Sequence, residues 1–159
     1  MTALGPLDLL LLGVLVAACV TDLRARRIPN ALTLPVVLGG IALAPLRMAW
    51  WEGLAGVVIA LALAFPGWRF GGAMRAGDVK LLMAAGGLLG AQGSVRLVLF
   101  TYVLALPYGL VVLAVRGRLS NVWRVWAGGE REDLTLAAFA PVIAVAALLA
   151  RVQPWPVLW

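Results

Sequence analysis

The sequence contains no histidine and a single cysteine, Cys19, among its 159 residues. These absences exclude a zinc site built from His and Cys ligands, and they exclude a nucleophile activated by a histidine base. One cysteine also permits no internal disulfide. Hydrolytic chemistry in this chain would therefore depend chiefly on carboxylates, and we expect neither a cofactor nor a metal ion.

Charged residues are also scarce. They make up 13% of the chain, whereas 64% of the residues are hydrophobic and the mean hydropathy is +1.02. A soluble domain of this length needs more charge to cover its surface. The composition therefore predicts an all-α membrane protein surrounded by the lipid bilayer, with residues 1–159 forming one integral-membrane domain.

Six apolar segments predict a polytopic bundle of about six transmembrane helices, since one span needs about 20 mostly apolar residues. Several of the segments are short for a full span, so some helices are expected to extend into loop residues. The segments cover approximately residues 4–20, 30–46, 53–66, 78–89, 95–115 and 134–150.

The basic residues, which give a net charge of +6, are distributed unevenly between the loops. Because basic loops stay in the cytoplasm, we expect loops one, three and five to be cytoplasmic and both termini to be periplasmic. No basic stripe is interleaved with stacking aromatics, so we expect no nucleic-acid partner. Ten basic residues lie on the predicted cytoplasmic side (Arg24, Arg26, Arg27, Arg69, Arg75, Lys80, Arg116, Arg118, Arg124 and Arg131) and three on the other (Arg47, Arg96 and Arg151).

The seven acidic residues can be sorted by position. Asp8 and Asp22 would be separated by roughly 21 Å along one helix, so those two cannot cooperate. Asp22 and Asp78 both fall at predicted cytoplasmic helix boundaries and form a plausible pair. The remaining acids are expected to be interfacial (Glu52) or solvated in a polar loop (Glu130, Glu132 and Asp133).

A structural role for the pair is an alternative, with Asp22 bound to a neighbouring arginine and Asp78 capping the fourth helix. Two adjacent carboxylates also have a chemical use, because they can share one proton. The ionised member can then activate a water while the protonated member donates to a scissile carbonyl. Such a pair titrates as a unit, so the sequence does not say which aspartate is the base.

Three sequence motifs lie near these aspartates. Residues 22–30 read DLRARRIPN, residues 76–81 read AGDVKL and residues 138–141 read AFAP. In order and spacing they resemble the D-x-R-x-x-x-I-P-N, G-x-G-D-V-K and late P-[FY]-G-P motifs of bacterial type IV prepilin peptidases, which are GxGD-type intramembrane aspartyl proteases. The whole chain resembles the short members associated with tight-adherence, or Flp-type, pili.

The resemblance implies a six-helix protease that uses Asp22 and Asp78 as its catalytic residues. Enzymes of this kind cut the basic leader from prepilins and pseudopilins at the cytoplasmic face of the bacterial inner membrane, where they serve the pilus assembly machinery. Arg24, Gly77 and Lys80 match motif positions and are candidate supporting residues. The chain lacks the cysteine-containing insert of longer members, so we expect no N-methyltransferase activity.

The chain departs from the family pattern at Arg75, which replaces the first glycine of GxGD. Arg75 either alters the loop geometry or supplies a substrate contact, and the stretch from Gly71 to Gly77 is the expected mobile loop. Two other functions remain open from the sequence. One is a proton-coupled transporter that uses Asp22 and Asp78 as relay groups, and the other is an inactive scaffold for pilus assembly. The sequence does not indicate an oligomeric state.

Overall fold

The computed structural model describes residues 5–46, 48–69, 74–115, 117 and 138–152. These residues are almost entirely helical and include no strand, which confirms the all-α prediction. The predicted loop acids Glu130, Glu132 and Asp133 and residues 71–73 of the expected mobile loop lie outside the described ranges. The helices are α1 (Pro6–Ala25), α2 (Asn30–Leu43, followed by the 3-10 turn Ala44–Leu46), α3 (Trp50–Arg69), α4 (Ala76–Val115) and α5 (Ala140–Val152).

The length and composition of these helices are those of a membrane protein. Helices α1, α3 and α4 are long and apolar enough to cross a bilayer. Helix α2 with its 3-10 turn and helix α5 are apolar but shorter. Many large apolar side chains on α1 to α4 point outward, as expected for a helix bundle with an apolar surround.

Helix α4 spans 40 residues but does not run straight, because Gly90 has a left-handed φ of 76°. A Cβ atom built on Gly86 would lie 2.6 Å from the Ser94 hydroxyl oxygen. Eight residues of straight helix would separate those positions by about 12 Å. The chain therefore reverses at Gly90, between an N-terminal arm (76–89) and a C-terminal arm (91–115). The sequence divides the same stretch into two apolar segments, with a boundary between residues 89 and 95.

Polar side chains stabilise the backbone at this reversal. The Ala91 amide donates to the Glu52 carboxylate over 2.9 Å, which satisfies an N–H group that the broken helix leaves free. The Ser94 hydroxyl lies 2.9 Å from the carbonyl oxygens of both Gly56 and Gly90. Glu52, expected to be interfacial, is therefore a half-buried helix cap that fixes the reversal against α3.

Helices α2, α3 and α4 approach one another at glycines. A Cβ atom on Gly56 of α3 would collide with the carbonyl oxygen of Gly86 in the N-terminal arm of α4. A Cβ atom on Gly40 of α2 would lie 2.9 Å from the carbonyl carbon of Gly87. Small residues allow this close backbone approach between membrane helices. Gly86 and Gly87 are therefore helix-packing residues.

A salt bridge joins the first turn of α1 to the last turn of α5. The Asp8 carboxylate accepts hydrogen bonds from Nε of Arg151 at 2.8 Å and from Nη2 at 3.1 Å. It also accepts the Gly5 amide at 3.0 Å, as expected for an acid in the first turn of a helix. The start of α1 and the end of α5 therefore lie at the same end of the bundle, away from Asp22.

We expect the Asp8→Asn substitution to lower the free energy of unfolding in detergent by about 1–2 kcal/mol. Asp8 is 3% exposed, but the Arg151 side chain is 34% exposed and can turn to solvent, so the loss is smaller than for a fully buried pair. Thermal unfolding of Asp8→Asn, Arg151→Gln and the double variant would form a double-mutant cycle. Strictly additive losses would show that the two side chains do not stabilise each other.

Candidate active site

Asp22 lies in the last turn of α1 and is buried, with 4% of its surface exposed. Its Oδ2 atom accepts the amide of Ala140, the first residue of α5, over 2.9 Å. The free amides at a helix N-terminus and the helix dipole both favour a carboxylate at this position. Within the described ranges Asp22 forms no ion pair, so a backbone amide of α5 takes the place of the neighbouring arginine considered from the sequence.

Asp78 is the third residue of α4 and is also 4% exposed. Its Oδ2 atom accepts the amide of Arg75, the residue before the helix, over 2.8 Å. Asp78 therefore does cap α4, but from inside the first turn, because the helix begins at Ala76 rather than at Asp78. This cap uses one carboxylate oxygen, and among the described residues Oδ1 of Asp78 has no hydrogen bond.

The first and second motifs are in direct contact. Nη1 of Arg75 donates to the carbonyl oxygen of Arg26 over 3.0 Å, and Nζ of Lys80 donates to Oδ1 of Asn30 over 2.8 Å. Gly77 packs beside Ile28, since a Cβ atom built on Gly77 would lie 3.4 Å from the Ile28 Cβ. These contacts join the end of α1 and the start of α2 to the start of α4.

The structure places the two aspartates at this same end of the bundle. Asp22 and Asp78 are close enough to interact through their charges. Each is buried, and each has one carboxylate oxygen held by the amide of another residue. Two buried carboxylates at one end of a bundle can share a proton and polarise a water molecule when they approach to hydrogen-bond distance.

The predicted supporting residues differ in their surroundings. Lys80 is half-buried and bonded to Asn30, so it links α4 to α2. Arg75 is exposed and its φ is not left-handed, so the backbone at this position does not require glycine. Arg24 is exposed in the last turn of α1 and, in the part of the chain described, makes no hydrogen bond with Asp22.

Several residues at this end were not identified from the sequence. Arg26 adopts a left-handed conformation with φ 51° and ψ 33° and ends α1. Tyr108 donates its hydroxyl to the Ala138 carbonyl over 2.8 Å, which holds the chain just before α5. Thr33 is fully buried and its hydroxyl has no hydrogen-bond partner among the described residues. Tyr108 could have been identified from the sequence, because it is a tyrosine near the end of an apolar segment. No sequence pattern indicates the left-handed conformation of Arg26.

The late motif, residues 138–141, contributes backbone groups to the site. Ala138 supplies the carbonyl that Tyr108 binds, and Ala140 supplies the amide that Asp22 binds. Neither interaction depends on the side chain at the position. The departures from the P-[FY]-G-P pattern are therefore compatible with this arrangement.

The described ranges contain no group of three or more His, Cys, Asp or Glu side chains placed to hold a metal ion. Comparison with protein families gives a match between residues 9–110 and the type IV leader peptidase family. This range covers well over half of the chain and includes both aspartates and the first two motifs. Searches of curated proteins and of solved structures find no match.

Proposed function

The chain belongs to the type IV leader peptidase family, and we propose that it is an aspartyl endopeptidase using Asp22 and Asp78. Its proposed substrates are Flp-type prepilins and pseudopilins, cut at the cytoplasmic face of the bacterial inner membrane. The observation that carries this proposal is the placement of both buried carboxylates at one end of a helical bundle, where Arg75 and Lys80 bind residues of the first motif.

In the proposed mechanism a water molecule binds between the two carboxylates. The ionised aspartate removes a proton from the water as it attacks the scissile carbonyl carbon. The protonated aspartate donates to the carbonyl oxygen, and the tetrahedral intermediate then releases the new amine with a proton. The amides of Ala140 and Arg75 each hold one oxygen of a carboxylate, so the two groups keep their orientation during this exchange.

The proposed topology has six membrane passes with both termini in the periplasm. The reversal at Gly90 supports it, because the two arms of α4 then cross in opposite directions. The bond between Asp8 and Arg151 supports it as well, because it places the two ends of the described bundle together. The opposite end, with Asp22, has an exposed basic turn that suits the cytoplasm.

Substrate helices would enter this site laterally from the bilayer, with their basic leaders on the cytoplasmic side. The pilus assembly machinery would then take up the mature pilin. We propose no methylation of the new N-terminus, because the chain has no counterpart of the cysteine-containing insert.

Among the residues that the structure describes, no observation favours the two alternative functions. A transporter relay would place its acids deep in the membrane, whereas Asp22 and Asp78 lie in terminal turns of α1 and α4. An inactive scaffold would be expected if Arg75 disrupted a backbone that requires glycine, but Arg75 has no left-handed φ. We therefore retain the protease as the proposed function.

The test is co-expression with several small Flp-type prepilins, followed by gel shift, N-terminal sequencing and mass measurement of the product. We expect removal of the leader at the junction between the basic segment and the hydrophobic helix, with an unmethylated new N-terminus. A known prepilin peptidase expressed with the same substrates is the positive control. If that control cleaves and this protein, at equal membrane levels, leaves every prepilin intact, the proposed function is wrong.

A further inference from the structure

Arg75 makes hydrogen bonds in two directions. Its amide donates to Oδ2 of Asp78 over 2.8 Å, and its guanidinium Nη1 donates to the carbonyl oxygen of Arg26 over 3.0 Å. The first bond is local, within the start of α4. The second reaches a residue 49 positions earlier, in the turn that follows Asp22.

The turn that receives the guanidinium has an unusual conformation. Among the described residues Arg26 is the one non-glycine residue with positive φ, which is an unfavourable conformation for a residue with a side chain. Its amide donates to the carbonyl oxygen of Asp22 over 2.8 Å, and this bond ends α1. A residue held in a left-handed conformation at a functional site needs surrounding contacts to keep it there. The bond from Arg75 is such a contact.

We propose that Arg75 is a positioning residue that ties the turn after Asp22 to the turn that contains Asp78, and so fixes the spacing of the two carboxylates. The bonds form a continuous path from Asp22 through Arg26 and Arg75 to Asp78. A glycine at position 75, as in the GxGD motif, has no side chain with which to form this path. This inference depends on the proposed function, because its first test measures prepilin cleavage.

A substrate contact is the rival role for Arg75. The leader of the proposed substrate is basic, and a guanidinium group would repel it rather than attract it. The guanidinium also already donates to Arg26 in the absence of substrate. The second tie between the same two motifs, from Lys80 to Asn30, shows that their contact is made at more than one point.

The kinetic test compares Arg75→Met and Arg75→Lys with wild type in detergent, using a purified prepilin. A charge-assisted hydrogen bond is lost in the methionine variant, so we expect kcat to fall roughly 10- to 100-fold with KM nearly unchanged. Lysine can restore one donor and should recover part of kcat. Arg27→Met is the matched control. Arg27 is exposed, lies next to Arg26, and makes no side-chain hydrogen bond in the described part of the chain.

A rise in KM at constant kcat would overturn the proposal in favour of a substrate contact. Unchanged kinetics in Arg75→Met would overturn it as well. If wild-type protein cleaves normally, either result leaves the proposed function intact. The experiments can therefore contradict the proposed role of Arg75 without contradicting the proposed peptidase function.

A second readout does not depend on cleavage. With Ile28→Cys and Gly77→Cys in a Cys19→Ala background, the two new cysteines would have Cβ atoms close to disulfide distance. We expect mild oxidation to join them rapidly when Arg75 is present and severalfold more slowly with Arg75→Met. Equal rates in both backgrounds would show that Arg75 does not hold the motifs together, even if no substrate is ever cleaved.

Discussion

Asp22→Asn and Asp78→Asn should each reduce prepilin cleavage by about 1,000-fold or more. An amide side chain can neither remove a proton from water nor donate one as an acid, so either change stops the shared chemistry of the pair. The fold should survive, because the asparagine Oδ1 can still accept the amide of Ala140 or of Arg75. The measurement is leader removal in membranes that contain equal amounts of each variant.

The structure offers a matched control for this experiment. Asp8 is buried like the two proposed catalytic residues, but it lies at the other end of the bundle and binds Arg151. Asp8→Asn should therefore lose stability while the folded fraction cleaves at the wild-type rate. Cleavage that survives in Asp22→Asn or in Asp78→Asn would contradict the proposed dyad. Loss of cleavage in folded Asp8→Asn would show that replacing any buried aspartate abolishes cleavage, so the losses at Asp22 and Asp78 would not identify them as catalytic.

The second large effect is expected at the crossing of α3 and α4. Gly56→Ala should destabilise the protein by about 3 kcal/mol or more, and little folded protein should remain after extraction. The new methyl group would meet the backbone carbonyl oxygen of Gly86, and a backbone group of a packed helix cannot move aside as a side chain can. Thermal unfolding and gel filtration in detergent would measure the loss.

Gly39→Ala is the control for this prediction. Gly39 is also helical, but a Cβ atom at that position has no heavy atom within 4 Å. Alanine should leave stability unchanged or raise it by up to about 1 kcal/mol, because it favours the helix over the unfolded chain. Equal stability of Gly56→Ala and Gly39→Ala would mean that the helices separate at no cost, contrary to the close packing described.

The all-α architecture was predictable because it follows from composition. A chain with so few charged residues and long apolar runs has to satisfy its backbone within helices if it is to enter a bilayer. The helix ends were less predictable. Helix α1 continues past the apolar segment to Ala25, and α4 begins at Ala76, because polar residues are stable in terminal turns where they meet water or cap amides.

The candidate aspartates were predictable because few acids were available and their flanking residues resemble known motifs. Both aspartates lie in terminal turns of their helices, and their catalytic roles remain a proposal. The partners of these acids could not be predicted. The group that binds Asp22 is a backbone amide, which every residue except proline possesses, so no side chain marks it. Asp8 pairs with Arg151, which is 143 residues away in the sequence, and the number of charged residues does not indicate which of them will pair.

The bond between Asp22 and Ala140 has a consequence for biosynthesis. It joins residues 118 positions apart, so the first aspartate leaves the ribosome long before its amide partner. A nascent chain already inserted through α4 would have both carboxylates but would lack the N-terminus of α5 that orients one of them. Completion of the proposed site therefore follows synthesis of the last described helix, so the two carboxylates exist in the growing polypeptide before both of them are oriented.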